Sequence, residues 1–378
     1  MLAAALQVGR ASSGEGTDLI PLMDQLLRYC ERHGLYTADF VHAHLLAIDT
    51  QMLGGGSPFG AWLAAGKAHH AALLVGVHLD RTGETLFEQE MRRRLWWNIK
   101  LARHTLAARL QIHVPLLDPD VPRPLVISDA QLQSEDLLET ISVPEWAAID
   151  ARISFVNVIA ARVIALAQDT PILDRFAECQ RLLDDYQFTL PASLRLESAT
   201  KTLPWGYAQA CIAAIATQEA MLGVYRPFFA DANTGAMALA LGVDAAHRLI
   251  ATSQLLASFL MFEWVDNAAS TLWSGAASVF AAGTVLVYAL LGGSGDRDKH
   301  LVALDTAIGV LRSHTAAPSA PSANAKAFAT LETLARAIRE GRAVDSGAVI
   351  DPFSGQSVVL PPPATFEWDT LFSLFPAA

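Results

Sequence analysis

Cysteine is scarce: Cys30, Cys179 and Cys211 are the only three in 378 residues. An odd number of thiols, far apart, builds no disulfide framework, and their spacing does not suit a zinc site. Charge is scarce too, with 17% Asp, Glu, Lys and Arg against 52% hydrophobic residues. Much of the chain must therefore be interior. The balance is a formal −11, so the chain lacks the basic footprint that displaces counterions from nucleic acid. Its one dense basic cluster is Arg92-Arg93-Arg94, for which local carboxylates on the same helix are the expected partners.

The chain also lacks the long apolar run of a membrane span. Residues 267–295 carry no charge and are numerous enough to cross a bilayer. They are mostly Ala, Gly and Ser, however, with a short apolar block from Val279 to Leu291, so a buried helix is expected. Met1 to Leu6 is apolar, but Arg10 follows without the cationic-then-apolar order of a secretory signal. A soluble cytoplasmic protein is the expectation. G-x-S-x-G, H-E-x-x-H, P-loop and dinucleotide-binding glycine patterns are missing, so hydrolase, protease, NTPase and dehydrogenase readings have no support. His69 and His70 are neighbours, and His42 and His44 lack the spacing of a helical metal pair.

What the chain has is helical periodicity, with little β-branched alternation. The spacing predicts helices over 18–33, 37–53, 59–77, 84–110, 143–169, 172–186, 204–225, 232–266, 268–291, 296–312 and 326–341. Gly54-Gly55-Gly56-Ser57-Pro58 breaks the second from the third. A proline-rich crossing follows the fourth, with Pro115, Pro119, Pro122 and Pro124. Flexible loops are expected at about 313–325 and 345–363, and a short amphipathic segment, 366–375, is expected to pack back on the bundle. The fold class is all-α, a single multi-helix domain over residues 1–378.

The segment Gly76 to Trp97 reads GVHLDRTGETLFEQEMRRRLWW. With the upstream FVHAHLL (Phe40 to Leu46) and the downstream EAMLGVYRPF (Glu219 to Phe228), it resembles the fungal-specific transcription factor domain, the middle homology region. The resemblance covers roughly residues 30–310. It implies a helical regulatory body that senses a small apolar effector. The zinc binuclear cluster of such regulators needs six closely spaced cysteines, which these residues do not have.

Polar groups intrude on the apolar faces. Asp49 has Leu45, Leu46, Met52 and Leu53 as helical neighbours, Glu219 has Ile212, Ile215 and Leu222, and Asp266 has Phe259, Phe262 and Trp273. A buried carboxylate needs a cation, a metal or strong donors. Asp266-Asn267-x-x-Ser270 loosely resembles the second metal motif of class I terpene cyclases, although Ser274 stands where that motif has glutamate. Lys100, Arg103 and Arg226 supply inward cations, and neutralisation of those carboxylates is the bland alternative.

Taken together these features resemble the atypical fungal sesquiterpene cyclases of the humulene-synthase type. That resemblance implies Mg²⁺-dependent ionisation of farnesyl diphosphate and cyclisation to a humulene-like hydrocarbon. Asp49, Glu219, Asp266 and Asn267 would hold the metal, Lys100, Arg103 and Arg226 the diphosphate, and Trp62, Trp97, Phe262 and Trp273 would line the carbocation pocket. The expected partner is a small prenyl diphosphate, with no direct nucleic-acid binding and no membrane span; a homodimer fits the reading. The alternative is the ligand-sensing regulatory domain of a zinc-cluster-type transcription factor.

Overall fold

A computed structural model describes residues 19–53, 58–110, 121–127, 132, 151, 153–154, 164–165, 167, 169–197, 204–259, 275–315, 322–341, 349–350 and 357–358. Its helices are α1 (Leu19–His33), α2 (Ala38–Leu53), α3 (Pro58–Val75), α4 (Leu86–Leu110), α5 (Ile172–Thr189), α6 (Pro204–Tyr225), α7 (Gly235–Phe259), α8 (Gly275–Leu291), α9 (Arg297–Thr315) and α10 (Ser322–Arg339). Short 3₁₀ turns cover Ala192–Leu194 and Arg226–Phe228. The all-α class expected from periodicity is what the chain adopts.

Two departures fall in the predicted loops. Helix α9 runs on to Thr315 and α10 begins at Ser322, so both ends of the expected 313–325 loop are helical. At the α10 end, Ala323 and Ala325 favour helix. Within 345–363, strands β1 (Val349–Ile350) and β2 (Ser357–Val358) pair antiparallel, Val349 opposite Val358. The expected helix at 143–169 and the segment 366–375 lie essentially outside the described residues.

The helix ends follow from local chemistry. Gly34, at φ +66°, closes α1: Gly34 N–H donates to Glu31 O (3.3 Å) and Leu35 N–H to Cys30 O (2.9 Å). Gly76, at φ +75°, closes α3 in the same way, with Val77 N–H reaching Ala72 O at 2.9 Å. Only glycine enters that left-handed region without penalty. Thr37 Oγ1 accepts from Phe40 N–H (3.2 Å) and so starts α2.

The chain forms two compact units. The first comprises residues 1–160, 184–213 and 261–273. In it α2 packs along α3, and both contact α4. Its core is made of Leu27, Phe40, Val41, Ala68, Ala72, Leu95, Trp96 and Ile99, with Val121. The many alanines let these helix backbones approach closely. The second unit comprises residues 161–183, 214–260 and 274–378. There α8 is the central helix, buried along nearly its whole length against α7, α9 and α10. Helix α8, which holds the apolar block Val279 to Leu291, is thus the core of this unit. No helix among the described residues is long and apolar enough to cross a membrane.

Candidate functional site

The signature segment is a helix–turn–helix junction whose arginines are each spoken for. Thr85 and Glu88 open α4 as a reciprocal cap: Glu88 N–H donates to Thr85 Oγ1 (3.2 Å), and Thr85 N–H donates to Glu88 Oε2 (2.9 Å). Arg92 pairs with Glu84, and Arg93 Nη2 lies 3.2 Å from Asp80 Oδ2. Both carboxylates come from the turn before the helix, not from the helix itself. Only Arg94 finds its partner on α4, where Arg94 Nε lies 2.9 Å from Glu90 Oε1. The expectation of pairing on one helix is corrected for the other two. Gly76 and Gly83 (φ +75° and +87°) fold the turn back so that Asp80 and Glu84 meet the arginine row.

Glu90 and Arg94 also fasten the segment 121–127. Leu125 N–H donates to Glu90 Oε1 at 2.8 Å, and Arg94 Nη2 donates to Ile127 O at 3.3 Å. Beside them Trp97 Nε1–H donates to Pro122 O at 3.0 Å. Lys100 Nζ lies 4.8 Å from the centre of the Trp97 ring, a cation–π contact. Trp62 is half-buried against Ile48, Ala61, Ala64, Ala65 and Leu106. Arg103 is half-buried on α4. Lys100, Arg103, Trp62 and Trp97 therefore all belong to the first unit, on α3 and α4.

Glu219 and Arg226 belong to the second unit. Glu219 is half-buried on α6, and Ser278 Oγ–H of α8 donates to its Oε2 at 2.9 Å. Arg226 is exposed in the 3₁₀ turn that follows α6, yet its Nη2 reaches the buried Thr284 of α8 and donates to Oγ1 at 3.0 Å. Asp49 lies on α2, but its side chain is outside the described residues, as are Phe262, Asp266, Asn267 and Trp273 altogether.

Of the four residues expected to hold Mg²⁺, Glu219 alone has a described side chain, and Ser278 occupies one of its oxygens. Among the described residues no three His, Cys, Asp or Glu side chains gather closely enough to hold a metal ion. Two of the thiols are held unreactive: burial pushes Cys179 up to about 12 and Cys211 up to about 11.

Histidines carry more structure than their spacing suggests. Trp96 is flanked by the rings of His69 and His78, at 5.3 Å and 5.4 Å between centroids. His44 is buried beside Phe40, whose ring meets it edge-on at 4.6 Å. In the second unit His247 Nε2 lies 2.8 Å from His300 Nδ1. Neither the His69–Trp96–His78 stack nor the His247–His300 pair has a local sequence signal, since packing of separate helices creates both.

Comparison with protein-family profiles, curated proteins and solved structures finds no match for this chain.

Proposed function

We propose that the chain is a ligand-sensing regulatory domain of the fungal zinc-cluster transcription-factor type. The observation that carries this reading is the arginine row: Arg92, Arg93 and Arg94 are held by Glu84, Asp80 and Glu90. The word on which the family resemblance rests is therefore used to build a scaffold. The charged residues singled out for catalysis behave alike where they are described. Lys100 lies over Trp97, Glu219 accepts from Ser278, and Arg226 donates to Thr284. Each is engaged within its own neighbourhood, as structural charges are. An alanine-rich helical body of this kind suits a small apolar effector.

The second reading is the sesquiterpene cyclase. It draws on Glu219, a half-buried carboxylate of the second unit, and, within the first unit, on Lys100 over the Trp97 ring and Arg103 on the same helix. Those cations would take the charge of a departing diphosphate, and Trp62 and Trp97 would face the carbocation.

Two measurements separate the readings. Fused to a heterologous DNA-binding module in a yeast reporter strain, the chain should change transcription relative to the module alone. Incubated with farnesyl diphosphate, with and without Mg²⁺, the purified chain should yield no extractable hydrocarbon. Metal-dependent hydrocarbon that disappears in Glu219→Gln overturns the regulator and establishes the cyclase.

A further inference from the structure

His247 of α7 and His300 of α9 are 53 residues apart in the chain, yet their rings meet at 2.8 Å, Nε2 to Nδ1. His300 is 4% exposed, and its other nitrogen, Nε2, lies 3.1 Å from the carbonyl oxygen of Ser294. A carbonyl only accepts, so His300 Nε2 carries the hydrogen. The neutral ring then presents a bare Nδ1, and His247 Nε2–H donates to it. The turn is shaped around this ring. At Gly295 (φ +78°) a Cβ would lie 2.7 Å from His300 Nε2. Ser294 N–H in turn donates to Ala289 O at 2.9 Å, closing the end of α8. The relay therefore ties three elements: α7, the end of α8 and the first turn of α9.

We infer that the His247–His300 pair is an acid-operated latch, closed while it holds at most one extra proton and opened when both rings are charged. One added proton is accommodated, since His247 can take it on Nδ1 and still donate through Nε2. A second sets N–H against N–H at the same contact, which then cannot survive. The surroundings disfavour charge on His247. Burial holds His247 below the usual histidine value, His300 and Lys299 reinforce this, and Asp244 and Asp296 oppose it.

The neighbouring acids are largely committed elsewhere. Asp244 pairs with Arg248 on α7 at 2.9 Å. Asp296 Oδ1 accepts from the N–H groups of Asp298 (3.1 Å) and Lys299 (3.2 Å). From α10, Arg339 pairs with Asp305, and Glu332 pairs with Arg312 and Arg336. Arg297 donates to Ile338 O at 3.0 Å. On α8 the one titratable side chain is Tyr288, pushed up by burial and neutral throughout.

The test is amide hydrogen exchange over the first turns of α9, corrected for intrinsic rates and compared between about pH 8 and about pH 5. The native chain should lose roughly tenfold or more of its protection at the acid end. His247→Gln keeps a donor on His300 Nδ1 but cannot titrate, and should lose less than about threefold. Equal losses in the two proteins, or none in the native chain, overturn the latch. A second readout uses the native chain alone. Imidazole nitrogen shifts at about pH 8 should report His300 with its hydrogen on Nε2, and a hydrogen on Nδ1 overturns the inference.

Discussion

Glu90 and Arg94 stand one turn apart on α4, joined at 2.9 Å, with their side chains 0% and 1% exposed. A pair so thoroughly removed from water is costly to form and more costly to break, because whichever partner survives is left charged in the interior. Glu90→Ala or Arg94→Ala should each destabilise the chain by about 3–5 kcal/mol. Both remove an anchor of residues 121–127, so the amide of Leu125 should lose exchange protection in either variant. The double variant should cost less than the sum of the two by more than about 1 kcal/mol, as residues of one network do. Urea unfolding of the three variants measures this, and simple additivity would show that the two side chains act separately.

The local part of that arrangement was legible in the residues, and the tertiary part was not. Helical spacing and the F-E-x-E-M-R-R-R word place α4 and its charge row correctly, since both depend on neighbours one turn away. Glu84 and Asp80 were not foreseen as partners, because their approach depends on the left-handed glycines of the intervening turn. His247 and His300 illustrate the same limit: neither has a partner at helical spacing, and only the packing of α7 on α9 brings them together. For the candidate site, Lys100 and Trp97 share a face as helical spacing requires. Arg226 is exposed in the 3₁₀ turn just past the α-helix, and only the packing of α8 beside that turn brings its guanidinium to the buried Thr284.

Thr85 should be the main determinant of where α4 begins. Its hydroxyl accepts the N–H of Glu88, while its own N–H is satisfied by the Glu88 carboxylate. Thr85→Ala should cost about 1 kcal/mol, the usual worth of such a cap. The backbone N–H and then the hydroxyl of Thr85 hold the Glu88 carboxyl below its ordinary value of 4.5. The native state therefore favours the ionised form, and the resulting stability is present above that value and is lost as pH falls below it. Thr85→Ala or Glu88→Gln should flatten the thermal midpoint between about pH 6 and about pH 3. An unchanged acid slope would show that the cap is not what the carboxylate feels.

His44 should make the first unit sensitive to mild acid. It is buried, its ring nitrogens have no hydrogen-bond partner, and Glu31 Oε1 stands 3.7 Å away, already bonded to Lys67 at 2.8 Å. Burial lowers its proton affinity below the ordinary 6.5; Glu31 opposes this and Lys67 reinforces it. The ring is thus neutral at neutral pH, and its contact with Glu31 is not an ion pair there. Because the unfolded chain binds the proton more readily, stability is full above the ordinary value and falls as pH drops through and below it. His44→Leu cannot charge and should lose part of that slope. Its thermal midpoint relative to the native chain should rise as pH is lowered from about 7 to about 5, whereas parallel curves would exclude His44 as the source.

Two helical glycines should respond to the same substitution in opposite directions. Gly309 is exposed in α9, and a Cβ added there would meet nothing within 4 Å. Gly309→Ala should therefore stabilise the chain by about 0.4–1 kcal/mol, by removing backbone freedom from the unfolded state and improving helix propensity. Gly235 opens α7 just after the turn at Asp231 to Thr234, which follows Phe228 and Phe229. A Cβ there would lie 2.6 Å from the carbonyl oxygen of Phe229 and 3.3 Å from that of Phe228. These are backbone atoms, which cannot swing aside as a side-chain tip can. Moreover, the Gly235 N–H donates to Asp231 O at 2.8 Å, fixing the turn in place. Gly235→Ala should destabilise by about 1–3 kcal/mol, the range for forcing an extra methyl into a packed site. Thermal unfolding of the two single variants decides it: the same sign in both would mean that the start of α7 yields to a methyl group as easily as an open helix surface does.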